Sequence, residues 1–523
     1  MITLNDCKQA KEYNYKGLST DEKPLDCYVN SLFLELDTGI FYFFNGTEWK
    51  DISQGITLGE TAPTGTISIT ENGIFDVHDY AEADVDVPAV TPTGTISITE
   101  NGTYDVMNYA EASVDVDVTV NFNLPALTRS IPTVLSQARE RMGATSLGNY
   151  GLFGGGWDGS YQSSVVDAYD QTLTRTTPTS LSYPREYLAA TSIVPPEGGS
   201  AQQSGYALFG GGSVSYVLSI VDAYDTSLTR TTPTGLSQSR YKLAATSVGN
   251  YALFGGGGSA QYTRLVVDAY DTNLTRTTPT ALSLERRNLA ATTVGNYALF
   301  GGGEKNGIAS SVVDAYDTSL TRTNPTGLNE ARGWLAATTV SPAVGSSSQS
   351  SYALFGGGDA GSSYSSVVDA YDTSLTRITP TELSQARKEL AAPTVAPAGD
   401  SSPQSGYAVF GGGYSGSDWV PTVDAYDASL TRTIQPKLSV GRSYLSGTSI
   451  GNYALFAGGY AADTQAVTTL TDAYSLASYD IQVFPETKYS FNGSTEQTSS
   501  TWQTLTMQGE VIGYIKVKDA TVN

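Results

Sequence analysis

Apolar and polar positions alternate along most of this chain in short runs, each ending in glycine, asparagine or aspartate. The stretch from Arg240 shows the pattern: RYKLAATSVGNYALFGGGGSAQYTRLVVDAYDTNLTRTTPTALS. Four strand-like runs follow one another, KLAATSV, NYALFGG, RLVVDAY and LTRTTPT. Period-two alternation and β-branched or aromatic residues mark strands, and no run keeps helical spacing. Gly249-Asn250 predicts the first turn. Asp271 predicts the last, because its side chain can accept backbone N–H bonds from the residues ahead.

The same pattern recurs. YGLFGGG begins at Tyr150, YALFGGG at Tyr206, Tyr251, Tyr297 and Tyr352, YAVFGGG at Tyr407 and YALFAGG at Tyr453. The tyrosines are 56, 45, 46, 55, 55 and 46 residues apart. One glycine-rich loop after a strand can cradle phosphate, but seven copies cannot each be a nucleotide site. No copy continues as Gly-Lys-Ser/Thr, and Lys305 stands alone. A repeat of this length implies the blades of a propeller. The longer spacings come from Pro/Gly/Ser-rich insertions (VPPEGGSAQQSG, SPAVGSSSQSS, APAGDSSPQSG) between the first two strands, where added length costs little. The array also contains its own closure. Leu127-Thr128-Arg129 matches a fourth strand that precedes the first unit, and the last unit lacks a fourth strand. Joining them over residues 127–133 closes a ring of seven and removes the open edges.

The expected organisation is all-β throughout. Residues 1–56 form a small module with strands in SLFLELDTGIFYFFNGTEWK and turns at Asp37-Thr38-Gly39 and Asn45-Gly46. Residues 57–120 hold two near-copies of PTGTISITENG, at 63–87 and 92–118, each too small to bury a core alone. Residues 121–479 form the seven-bladed β-propeller. Residues 480–523 form a C-terminal module with EVIGYIKV as its clearest strand and a turn at Asn492-Gly493.

Charge narrows the partners. The 523 residues carry a net charge of −23, which disfavours nucleic acid and an anionic membrane surface. No apolar run is long enough to span a membrane. MITLNDCKQAKEYNYKG lacks the apolar core of a signal peptide. Cys7 and Cys27, both near the start, cannot staple the chain, which fits synthesis in a reducing cytosol. His78 is the only histidine and aligns with Met107 of the second near-copy, which marks a tolerated surface position. Histidine-based catalysis and most metal sites are thereby disfavoured, and no metal or cofactor is expected.

The array resembles kelch-type β-propellers: an arginine, Leu-Ala-Ala, a tyrosine with apolar residues before Gly-Gly, and an apolar strand ending in Tyr-Asp. It departs in lacking the fourth-strand tryptophan, where Thr174-Arg175 and Thr229-Arg230 stand. The resemblance implies a binding platform, since enzymatic relatives need metal-ligating His and Cys. The N-terminal part, YKGLSTDEKP…NSLFLELDTGIFYFFNGTEWK with the ITENGTYDV…YAEASVDVDV copies, resembles tail- and virion-associated proteins of bacteriophages. That implies a non-enzymatic virion component, assembled in the host cytoplasm and oligomeric on the particle. Its N-terminal modules would dock to other virion proteins. Its propeller would bind a host-surface glycan or protein. The alternatives are a structural collar, head-fibre or decoration protein, and a polysaccharide depolymerase, for which no asymmetric acidic pair stands out.

Each unit opens with an arginine: Arg139, Arg185, Arg240, Arg286, Arg332, Arg387 and Arg442. Seven guanidinium groups around a channel would suit a carboxylate ligand. Repetition in every unit favours a second role, tying loops by hydrogen bonds to carbonyls. The VDAYD aspartates (167, 222, 268, 314, 369, 424 and 472) read as structural acceptors, and the LTR arginines Arg175 and Arg230 as cross-hairpin partners of Asp170 and Asp225. The loops after the glycines do not repeat. They carry Trp157, Tyr161, Tyr216, Tyr262, Tyr364, Tyr414, Trp419 and Tyr460, aromatics suited to sugar stacking or a protein interface and expected on the face of the arginines.

Overall fold

The computed structural model describes residues 121–523 apart from 195–204, 260, 343–350, 397–405, 484–486 and 518–523. Before residue 121 it describes only short backbone strands. The expectations for His78, Cys7, Cys27, the turns at 37–39 and 45–46 and most of the three insertions lie outside the described residues. The chain divides into two compact units, Pro125–Ala477 and a second made of Met1–Leu124 with Ser478–Asn523. The expected boundaries, 121–479 and a separate 480–523, thus give way to a C-terminal segment sharing one unit with the N-terminal modules.

Pro125–Ala477 is all-β and holds seven four-stranded antiparallel sheets, here called modules one to seven. Module three shows the plan: Ala244–Val248, Tyr251–Gly255, Val267–Tyr270 and Arg276–Thr277, each pairing with the next. Module seven takes its fourth strand from the start of the unit, with Leu127–Ser130 pairing against Thr471–Leu476 in the register Leu127↔Leu476. The first strands neighbour one another in a closed cycle, a propeller-like arrangement. Along that cycle, threonines of adjacent first strands bond: Thr246 to Thr293, Thr292 to Thr339 and Thr338 to Thr394, each at 2.8 Å.

The strands are shorter than the sequence patterns. The fourth spans only Arg276–Thr277 in module three, because Pro279 has no N–H to give a ladder. The first begins at Ala244, not Lys242, because Lys242 has φ of +54° and cannot extend a strand. Asp271 opens its turn as expected, its carboxylate accepting the N–H groups of Asn273 and Thr275.

The core lies between modules. One cluster joins Ala244, Val248, Leu253, Val267 and Ala269 of module three to Ala298, Phe300 and Tyr316 of module four. The cluster of Phe153, Tyr169, Ile450 and Leu455 closes the cycle between modules one and seven. Every middle strand therefore has an apolar neighbour on both faces, which explains why YALF and VDAY run apolar without strict alternation.

The glycines of YALFGGG belong to this packing. A Cβ on Gly255 would lie 2.7 Å from the Phe300 ring of the next module, and one on Gly256 (φ +67°) 2.7 Å from the Arg286 carbonyl. Gly257 donates its N–H to that carbonyl at 2.9 Å. The motif binds module to module and leaves no N–H cradle for phosphate.

In the other unit, Thr3–Leu4, Tyr15–Gly17, Leu32–Glu35, Phe41–Phe44 and Trp49–Asp51 form a five-stranded sheet in that order. The two near-copies pair in parallel and in register, Thr66↔Thr95 and Phe75↔Tyr104. Val118–Leu124 continues the first stack (Val120↔Ile96), and Ser478–Val483 continues the second (Ile481↔Tyr104). Val511–Val517 then pairs antiparallel with Val118–Leu124. The expected turn at Asn492-Gly493 is present, both residues at positive φ.

Candidate functional site

The seven unit-opening arginines do not reach a ligand surface. All are 0% exposed, as are their seven aspartate partners. Arg240 Nη2 donates to Asp268 Oδ2 at 2.7 Å and to the Phe254 carbonyl at 3.1 Å. Asp268 Oδ1 accepts the Ser237 N–H at 3.1 Å. Equivalent ion pairs join Arg139 to Asp167, Arg185 to Asp222, Arg286 to Asp314, Arg332 to Asp369, Arg387 to Asp424 and Arg442 to Asp472. Burial lowers the Arg240 pKa, and Asp268 opposes that fall. These groups organise the fold, and the carboxylate-binding role considered for them is withdrawn. The LTR arginines also change partner. Arg175 Nη1 meets Asp167 at 3.0 Å, while Asp170 accepts turn N–H groups. Strand pairing explains this: Arg175 stands opposite Tyr169, so its side chain shares a face with Tyr169 and Asp167, two residues apart.

Two residues after each buried arginine lies a position that does not repeat. It holds Arg141, Tyr187, Lys242, Asn288, Trp334, Glu389 and Tyr444, all with φ between +53° and +59°. Each donates its backbone N–H to the carbonyl of the residue one module before. Tyr187 donates to Arg141, Lys242 to Tyr187, Asn288 to Lys242, Trp334 to Asn288, Glu389 to Trp334, Tyr444 to Glu389 and Arg141 to Tyr444, at 2.9–3.1 Å. The seven thus form a closed hydrogen-bonded ring. The left-handed backbone lets each residue bond sideways to its neighbour rather than enter its own sheet.

The ring lines a cavity of about 210 Å³, with Met142, Leu188, Leu243, Leu289, Leu335, Leu390 and Leu445 as further lining. Tyr187, Trp334 and Tyr444 form an edge-to-face cluster with centroids 6.0–6.4 Å apart. The Arg141 guanidinium lies 4.9 Å from the Tyr187 centroid and 4.8 Å from that of Tyr444, and it pairs with Glu140 and Glu186. Burial raises Glu140 to about 7 despite Arg141, and burial lowers Lys242 to about 8. Burial also raises Glu389, against the Tyr444 hydroxyl and Lys388. An aromatic lining with both signs of charge suits a polar ligand with an apolar face.

Ring and loops adjoin. The residue before each ring position bridges the first residue after the glycines, as in Glu140↔Trp157, Tyr241↔Gly258 and Lys388↔Tyr414. The structure brings Tyr364, Tyr414, Trp419 and Tyr460 into one row across modules five to seven, with successive centroids 6.1, 5.5 and 5.4 Å apart. Lys388 Nζ lies 4.7 Å from the Tyr364 centroid. The other loop aromatics stay apart from that row. Tyr161, Tyr216 and Tyr262 are 74%, 55% and 61% exposed, and Trp157 is half-buried.

The ring was missed in the sequence although a signal was present. Aligned on the arginines, the units read Arg-x-X-Leu (Arg-x-X-Met in the first), and between the constant arginine and the apolar residue both x and X run through charged, polar and aromatic types.

No protein-family model matches the chain, and no curated protein matches it. Among solved structures, one titled "Structure of YjhT" aligns with 66% of this chain and 96% of that chain, at 11% identity and a TM-score of 0.41.

Proposed function

We propose that this chain is a bacteriophage virion appendage whose Pro125–Ala477 unit is a seven-bladed, kelch-type β-propeller that binds a host-surface glycan. The observation carrying the proposal is the break in symmetry at the ring. A scaffold that repeats its arginines, aspartates and glycines in every module varies the one position facing its central cavity. Residues kept alike hold the fold, and residues that differ around one cavity suit a ligand without sevenfold symmetry. The row Tyr364–Tyr414–Trp419–Tyr460 adds ring faces on which further sugar residues can stack. The particle-docking role of the N-terminal modules is supported by their resemblance to virion proteins.

The test is binding of the fluorescently labelled full-length chain to cells of the bacterium that the particle infects. Saturable binding that falls with Trp334→Ala and with Trp419→Ala is expected. A chain that decorates purified particles yet ignores the cells would instead be a structural decoration protein.

A further inference from the structure

Lys242 holds a charge that the protein itself leaves unanswered. Its Nζ lies 4.2 Å from the Trp334 centroid, 4.8 Å from that of Tyr187 and 5.4 Å from that of Tyr241. Among the described residues, no carboxylate lies within ion-pair distance of it and it makes no hydrogen bond. The cations nearest to it in the ring and its neighbouring residues are engaged: Arg141 with Glu140 and Glu186, Arg287 with Glu304, and Lys388 with Asp359. Aromatic faces attract an ammonium but do not replace the water it loses on burial. A methionine would fill the same volume without that cost. Lys242 is half-buried, and its ammonium keeps a side open to the cavity where a group from outside the chain can meet it.

The charge and the cavity limit what that group can be. Among the cations of the ring itself only Lys242 lacks a carboxylate partner, while Glu389 stands on the same ring and Glu304 contacts the neighbouring Asn288. A single negative charge answers Lys242, and a second would face those carboxylates. The cavity, about 210 Å³, falls below the roughly 300–1,000 Å³ of pockets for drug-sized ligands. It has room for one sugar-sized group. Trp334, beside the ammonium, supplies a flat face.

Resting on the glycan-binding reading above, we propose that the ring cavity is the subsite for one monoanionic sugar residue, its charge paired with Lys242 and its ring lying on Trp334. A uronate carboxylate and a sulfate ester share this chemistry, and the experiment separates them.

Isothermal titration calorimetry of the full-length chain with D-glucuronate, a sulfated glucose and D-glucose tests the subsite. At least one of the two anions should bind about ten-fold tighter than D-glucose, the scale of one charge-assisted contact. The anion that binds more tightly identifies the acid. Lys242→Met should abolish the preference and Lys242→Arg should retain it, with thermal melts showing both variants folded. The proposal is overturned if no sugar binds, if D-glucose binds as well as both anions, or if Lys242→Met keeps the preference. Undiminished host-cell binding by Lys242→Met would sink the subsite and leave the host-binding reading standing. Sugar binding by a chain that ignores host cells would do the reverse.

Discussion

The backbone N–H of Gly459 donates to the carbonyl of Arg139 at 2.9 Å, joining the last glycine motif to the first arginine of the array. This bond repeats, across the closure, the one that Gly257 makes to Arg286 between modules three and four. The seam between the two ends of the array is thus built like every other junction.

That seam is sensitive to a single methyl group. Gly458 has φ of +63°, and a Cβ there would lie 2.3 Å from the Arg139 carbonyl and 2.7 Å from Met142 Cε. Gly458→Ala should cost about 3 kcal/mol, from left-handed strain and overpacking together. Gly307 has φ of +79° with open space around its Cβ, so Gly307→Ala should cost only about 1–2 kcal/mol. Thermal melts of the two variants, with limited proteolysis to locate the opening, give the comparison. Equal losses would mean that the seam tolerates the clash.

The buried arginine–aspartate pairs should behave asymmetrically. Arg286→Met leaves the buried Asp314 carboxylate with only the more distant Arg322, at 3.6 Å, and should cost about 3 kcal/mol. Adding Asp314→Leu should restore much of that loss, because both fully buried charges then leave the interior and the partly exposed Arg322 can turn to water. Urea denaturation of wild type, the single variants and the double variant measures the coupling. A double variant no better than the worse single would contradict it.

Glu140 makes the ligand-free protein sensitive to alkali. Burial raises its folded pKa to about 7 from an ordinary 4.5, with Glu186 and Glu389 adding and Arg141 opposing. Between those values the folded state binds more protons than the unfolded one. The stabilisation from this group is therefore complete below 4.5 and is lost as pH rises towards 7. Glu140→Gln should flatten the melting temperature across that window and gain most on wild type above it. Parallel melts from about pH 4 to pH 8 read the difference.

Lys242 has the opposite sign. Burial lowers its folded pKa to about 8 from 10.5, with Arg287 and Arg141 adding and Glu304 and Glu389 opposing. Stability from this group is present above 10.5 and lost as pH falls through about 8. At neutral pH, Lys242→Met should raise the melting temperature of the ligand-free chain, by about 2–4 °C for each kcal/mol regained. The advantage should shrink as pH rises from 8 to 10.5. A lower melting temperature for Lys242→Met would show that the aromatic contacts outweigh the lost hydration.

Much of the propeller-like unit was legible because it repeats. Tyr251 stands in a sevenfold pattern, and Gly255 and Asp271 recur in six of the seven units, with a spacing that marks strand, junction and turn. The match of Leu127-Thr128-Arg129 to a fourth strand made the closure readable. The arginine–aspartate pairs were not readable, since Arg240 and Asp268 meet only after the two strands between them have folded. The ring escaped for a local reason. Lys242 in KLAATSV looks like the first residue of a strand, and only its positive φ turns it out of the sheet and towards its neighbours. The stacking of Val118–Leu124 on the near-copies was hidden too, because parallel pairing of distant segments leaves no turn to mark it.

The N–H of Ala477 donates to the carbonyl of Ala126 at 2.9 Å, so the chain leaves the seven-module unit where it entered. The strands on either side, Val118–Leu124 and Ser478–Val483, extend the same stacks as the near-copies, like the two halves of a third copy split apart. Such an arrangement has the form of an insertion: any folded body whose ends lie a hydrogen bond apart could occupy the gap and leave the stacked strands undisturbed.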